Sequence, residues 1–235
     1  MQPRASGQGF VPRYGGGWMH QFGHVYALQQ ELLAPSKNNW IRATELWHLA
    51  RHEGIALNSA HYTNILRQCV VPKAWQQSLQ VLQQMRRDAI RPDVVGVACA
   101  MAACADAGVV DAVESLHAMY GKTMKLDSQC YLALMKAYHT AHRMRDVLEV
   151  GKTQQAASVP MLPASFVCLL EAGLALDDEE AVYEYAARCL SDELYSIPRS
   201  LEARLETFAE GESSRCRSAI RHILASRGDA NLLDE

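Results

Sequence analysis

The first thirty residues contain no Asp or Glu; the first acid is Glu31. Arg4, Arg13, His20 and His24 supply all the positive character of that stretch, and Gly7, Gly9, Gly15, Gly16 and Gly17 crowd it. Organelle-targeting segments are poor in acids and carry Arg. Residues 1–24 therefore read as a basic, Gly-rich tail or targeting segment, and a mitochondrial matrix location is the expectation. Long apolar runs are missing too. The longest stretch without charge or strong polarity is Val94 to Ala105, between Asp93 and Asp106, whereas a membrane-spanning helix needs about 20 apolar residues. The seven cysteines form no CxxC pair, and their number is odd; free thiols in a reducing compartment fit better than a disulfide framework. Excess charge is absent as well. With 23 Lys+Arg against 26 Asp+Glu the net charge is −3, so any phosphate binding must come from a local patch.

What is present is a period. Arg42-Ala-Thr-Glu-Leu-Trp-His-Leu-Ala-Arg-His-Glu-Gly-Ile-Ala-Leu-Asn58 is similar to Gln77-Ser-Leu-Gln-Val-Leu-Gln-Gln-Met-Arg-Arg-Asp-Ala-Ile-Arg-Pro-Asp93. Asn58, Asp93, Asp127, Leu162 and Ile197 follow one another at 34 or 35 residues, the last two beside prolines. A recurrence of this length marks a solenoid. Within each unit the apolar spacing is helical, as in Tyr62, Ile65, Leu66 and Cys69 followed by Leu79, Leu82 and Met85. No segment sustains the alternation of a strand. Ala107-Gly108 falls between two apolar faces and predicts the end of a first helix. Each hairpin offers only about six large apolar side chains, worth about 1.5–3 kcal/mol each when buried. That does not outweigh the ordering entropy of 35 residues, so the hairpins must stack.

These units resemble the pentatricopeptide repeat (PPR) family. The likeness rests on Leu79…Met85-Arg-Arg-Asp-Ala-Ile-Arg-Pro-Asp93, with Ala89 where Gly is usual, on Ala43, Leu46, Gly54 and Ile55, and on Val109-Val-Asp-Ala-Val113 after Gly108. The tetratricopeptide alternative, with a 34-residue period, lacks its Trp, Gly-Tyr and Ala-Phe markers. The resemblance implies an all-α, right-handed α-solenoid of helix-turn-helix repeats of about 35 residues. Five hairpins are expected over 25–198, in units 25–59, 60–94, 95–128, 129–163 and 164–198. Degenerate capping helices are expected over 199–235.

The family typically binds single-stranded RNA, one base per repeat, through the fifth and last residues of each unit. Carried onto this chain, those places hold Gln29 with Ser59, Asn64 with Val94, Cys99 with Ser128, Ala133 with Pro163, and Cys168 with Pro198. Only the first pair is polar at both. A good base contact is worth about 1–3 kcal/mol and micromolar affinity needs about 8 kcal/mol, so sequence-selective reading by this chain alone is not expected. Residues 1–162 carry 16 basic and 11 acidic side chains; residues 163–235 carry 7 and 15. The basic part includes Arg67, Lys73, Arg86, Arg87 and Arg91, which suit a phosphate backbone without reading sequence. The acidic run Asp177-Asp-Glu-Glu180 opens a helix, where carboxylates suit the dipole, and leaves the last third better suited to a basic protein.

Catalytic groupings are lacking. Gly121-Lys122-Thr123 and Gly151-Lys152-Thr153 resemble the end of a phosphate loop, but the Gly required five residues earlier is replaced by Leu116 and Asp146. His48 and His52 have metal-ligand spacing without the Glu of a zincin, since Leu49 follows His48; His139 and His142 are likewise isolated. The His-x-Glu and Pro-Cys-x-x-Cys of a nucleobase deaminase are absent. No enzyme, metal, cofactor or small-molecule substrate is expected. The reading is a scaffold subunit of a mitochondrial ribonucleoprotein, the mitochondrial ribosome first, touching proteins and RNA backbone; divergent ribosome-associated members of the family are the nearest in style. The alternatives are a free organellar RNA-binding factor for transcript processing, editing or stability, and a cytosolic protein-binding solenoid.

Overall fold

The computed structural model describes residues 40–190, 197–211 and 214–231, together with Ala27, Gln30 and Glu31. The tail expected at 1–24 and Gln29 lie outside the described residues. Eleven helices and no strand occur among the described residues. They are α1 Trp40–His52, α2 Ser59–Val70, α3 Trp75–Arg87, α4 Val94–Asp106, α5 Val110–Gly121, α6 Ser128–Thr140, α7 Met144–Ala156, α8 Pro163–Leu176, α9 Glu179–Leu190, α10 Arg199–Glu210 and α11 Arg215–Asn231. From α2 onward they run as consecutive pairs. The stretch expected to cap the solenoid holds one of these pairs, α10 and α11.

The periodic turn residues are helix caps. Asn58 and His61 form a reciprocal capping box at α2. Asp93 Oδ1 accepts from Gly96 N–H at 2.7 Å and Asp127 Oδ1 from Cys130 N–H at 3.0 Å, satisfying amides that α4 and α6 leave open. Leu162 caps α8 without a side-chain bond, and Pro163 presets the first turn. A second series closes the first helices. Lys73, Gly108, His142 and Asp177 all have positive φ, between 53° and 76°. At each, paired backbone bonds return to the last turn, as in Gly108 N–H to Ala105 O and Val109 N–H to Cys104 O. Only Gly108 adopts that conformation without a Cβ penalty.

First helices stack on first helices: α2 on α4, α4 on α6 and, less closely, α6 on α8. The second helices α3, α5 and α7 make no comparable contact with one another. Closer approach on one layer curves the stack and puts the first helices on its inner side. Composition explains the approach. In α4, Gly96, Ala98, Ala100, Ala103, Cys104 and Ala105 are all buried, and a Cβ on Gly96 would meet Leu66 Cδ1 and Thr63 Oγ1 of α2 at 3.2 Å. The core runs between the layers through Tyr62, Ile65, Met85, Met101, Met135 and Leu169. Every described cysteine is a free thiol; burial pushes Cys130 up to about 12 and Cys104 up to about 11, which leaves them protonated and inert.

The order changes at the carboxy-terminal end. There the second helices α9 and α11 pack closely, while α10 touches α8 less. Arg217 of α11 joins them. It donates to Glu179 at 2.8 Å and to Asp177 at 3.1 Å, and its guanidinium lies 4.5 Å from the Phe208 ring centre. Asp178 Oδ1 accepts from Ala181 N–H at 3.0 Å, so the acidic run both caps α9 and holds the last hairpin.

Candidate nucleic-acid interface

The inner face is lined by the first helices, and the described residues among those predicted to read bases lie on or beside them. Two of their hydroxyls serve the scaffold. Ser59 Oγ donates to Arg91 O at 3.4 Å and Ser128 Oγ to Pro160 O at 2.7 Å, each bridging to the following turn. Ala133 and Cys168 are buried, and Cys99 is half-buried. Asn64 and Val94 are half-buried, while Pro163 and Pro198 are exposed at helix starts. One polar pairing between neighbouring hairpins was missed: Thr63 Oγ1 donates to Asp93 Oδ1 at 2.9 Å. It runs one residue before Asn64 and Val94. A 35-residue period fixes spacing but not phase; the phase is set by the cap, and Asp93 is the cap of α4.

Further along the inner face, acids and bases neutralise each other from helix to helix. Lys136 lies 3.6 Å from Asp106, His139 is 2.9 Å from Glu171, and Arg204 reaches the same carboxylate at 3.9 Å. Little net charge is left there for a polyanion.

The predicted cations divide between two edges. Arg67 and Lys73 sit where α2 turns into α3; Arg86, Arg87 and Arg91 sit where α3 leaves for α4. The 13 residues of α3 separate the edges by about 20 Å. Arg91 Nη2 donates to Thr123 O at 3.2 Å, and Arg86 lies 2.7 Å from Met119 Sδ, so both brace the next hairpin. Arg67, Lys73 and Arg87 are exposed, with no acid within 4 Å among the described residues. Two further cations continue the second edge. Lys122 stands 35 residues after Arg87 and Lys125 stands 34 after Arg91; both are exposed in the following turn. The repeat register was the signal that could have found them. The carboxylates of this edge are occupied: Asp88 accepts from Tyr62 OH and Gln84 Nε2, and Asp93 and Asp127 cap helices.

Of the phosphate-loop tripeptides, Gly151-Lys152-Thr153 is helical, while Lys122 and Thr123 of the other lie in the turn after α5. Gly151 lies inside α7, where a Cβ would stand 2.6 Å from Leu169 Cδ2, so its smallness serves packing. Gly121 ends α5. His48 and His52 are exposed on α1, and no cluster of three metal-ligating side chains exists among the described residues. No described helix is long and apolar enough to cross a membrane.

The family model described as the pentacotripeptide-repeat region of PRORP matches residues 26–215. The chain belongs to the pentatricopeptide repeat family. Solved structures agree on the fold. The PPR domain of Arabidopsis thaliana protein-only RNase P 1, crystallised with tRNA, superposes with a TM-score of 0.67 at 14% identity, covering 82% of this chain and 98% of that one. Nuclear proteinaceous RNase P 2 of A. thaliana gives 0.66 at 18% identity, over 80% of this chain and 42% of that one. The PPR10 protein in complex with an 18-nt psaJ RNA element gives 0.55 at 20% identity, over 87% of this chain and 28% of that one. This PPR chain thus spans less than half of the latter two. No curated protein sequence matches it. The Gly usual in the family's turn is Ala89 here, held at φ 55°.

Proposed function

We propose that this chain is a non-catalytic scaffold that holds single-stranded RNA by its phosphate backbone within a mitochondrial ribonucleoprotein, the mitochondrial ribosome or an intermediate of its assembly. The observation that carries this reading is the division of labour across the repeat. At the described base-reading places Ala133 and Cys168 are buried, Ser59 and Ser128 are bonded to the scaffold, and Val94, Pro163 and Pro198 offer no polar side chain, while unpaired cations recur along the turns. Backbone contacts confer affinity without sequence choice. Two of the similar folds were crystallised with tRNA and with an 18-nt RNA, which favours RNA over other polyanions. The acid-free first thirty residues favour the mitochondrion, and the acidic last third suits a basic protein partner.

A second reading, a free organellar factor for transcript processing, editing or stability, is favoured by Asn64, a half-buried polar residue at a base-reading place on α2. Selection of a random RNA pool by the purified chain separates the two. The scaffold reading expects no enriched motif and co-sedimentation with mitochondrial ribosomal subunits that survives high salt. Nanomolar enrichment of one motif, lost in Asn64→Ala, would establish the second. A reporter fused to residues 1–30 that stays in the cytosol would contradict the mitochondrial assignment.

A further inference from the structure

The turn between α5 and α6 walls a groove that neither the base-reading scheme nor the packing of the solenoid uses. Its volume is about 310 Å³, at the lower end of small-ligand sites, about 300–1,000 Å³. Met124, Leu126 and Val159 give it an apolar wall. His117 and Tyr131 meet edge to face beside it, ring centres 5.8 Å apart. His117 Nε2 is shielded from solvent and has no hydrogen-bond partner. Burial holds this imidazole below its ordinary 6.5, so the ring is neutral at pH 7. Lys122 and Lys125 line the same groove, are exposed, and have no acid within 4 Å among the described residues.

An apolar wall flanked by two free cations matches a flat, weakly polar group carried between two negative charges. We propose that this groove seats one nucleotide of a single-stranded RNA, its base against the apolar wall beside His117 and Tyr131, its flanking phosphates on Lys122 and Lys125. The seat rests on the RNA-binding reading above and adds a place and a stoichiometry to it. A single strand is required, because duplex bases are stacked away from such a surface. The seat lies on the edge that also carries Arg87 and Arg91, so a strand leaving it runs along the turns rather than down the inner face.

The test uses the full chain and two labelled strands of equal length, a uridine oligomer and an abasic ribose-phosphate oligomer, titrated at several salt concentrations. Ala118, exposed on the groove wall, is replaced by Trp to fill the space without altering charge. The expectation is that wild type binds the uridine strand about tenfold more tightly than the abasic one and that Ala118→Trp abolishes this preference while leaving the salt slope unchanged. Lys122→Ala with Lys125→Ala weakens both strands and lowers the log–log salt slope by about 1.4, from two phosphate contacts at about 0.7 each. Both variants retain the wild-type circular dichroism. Variants that bind like wild type overturn the seat and leave the RNA-binding reading standing. A wild type that binds neither strand overturns both. An oligoglutamate that binds and is lost in the lysine variant, with RNA binding unaffected, assigns the groove to an acidic protein and overturns the nucleotide seat.

Discussion

Thr63 and Asp93 join neighbouring hairpins through one hydrogen bond of 2.9 Å, and the same carboxylate oxygen accepts from Gly96 N–H at 2.7 Å. A single atom thus starts α4 and holds α2 against it. Loss of the cap costs about 1–2 kcal/mol, and the buried Thr63 hydroxyl left unpaired adds about 1 kcal/mol. Asp93→Ala is therefore expected to lower stability in urea by about 2–3 kcal/mol. Thr63→Val should cost less, and the double variant should be less than additive by at least about 0.5 kcal/mol. Full additivity would show that the two residues act apart.

Ala89 sits at φ 55°, a conformation that a Cβ disfavours by about 1–2 kcal/mol. Ala89→Gly is expected to stabilise the chain by about 1 kcal/mol, against the loss of backbone entropy in the unfolded state. A fall in melting temperature would mean that Ala89 makes a contact outweighing its strain.

Gly151 presents the opposite case. Alanine is favoured over glycine in an open helix by about 1 kcal/mol, yet a Cβ here would stand 2.6 Å from Leu169 Cδ2 and 2.9 Å from Tyr185 OH. Gly151→Ala should destabilise by about 1–3 kcal/mol, and Leu169→Ala in the same chain should recover part of that loss. The pair is read by equilibrium unfolding.

His61 makes the stability depend on pH. It is 4% exposed, burial holds its imidazole below 6.5, and its Nδ1 accepts from Asn58 N–H at 3.2 Å. The unfolded chain then binds a proton near pH 6.5 that the folded chain does not. Stability is full well above pH 6.5 and declines as pH falls through that value. His117, also shifted down by burial, adds in the same sense. His61→Gln keeps an acceptor and removes the titration, so the decline over this window should be shallower. An unchanged slope in that variant would place the proton uptake elsewhere.

Arg217 ties the last hairpin down with its side chain only 14% exposed. Arg217→Ala should free α11 from α9 at a cost of about 1.5–3 kcal/mol, the worth of charge-assisted bonds, with Arg217→Lys a poor substitute because it lacks the fork. Hydrogen exchange should rise in α11 and stay unchanged in α4 and α6. A uniform rise along the chain would contradict local release.

The helical repeat was legible because its punctuation is chemical. Asn58, Asp93 and Asp127 recur in the sequence since a helix start needs a side-chain acceptor, and the structure places all three as caps. Gly108 announced its turn for the same reason, whereas Lys73, His142 and Asp177 hide theirs behind side chains that merely tolerate positive φ. The pair α10–α11 gave a weak signal: Pro198 offers no side-chain cap, and the hairpin is held by Arg217, a contact across 38 and 40 residues that no local pattern reveals. The candidate interface was less legible than the fold. Charge in a turn is ordinary: the repeat register relates Lys122 to Arg87, but the fold is needed to show that Arg67 lies a helix length away from that edge. The burial of Ala133 and Cys168 likewise comes from neighbouring hairpins.

The most direct test of the central claim is the RNA affinity of the purified chain across salt, with strands of unrelated sequence compared at each concentration. A scaffold that holds the phosphate backbone along its turns predicts similar affinities for all sequences. It also predicts a linear fall of log K with log salt whose slope drops when Arg87 and Lys122 are changed to alanine. Binding of one sequence with little dependence on salt, or a slope indifferent to those two residues, would contradict it.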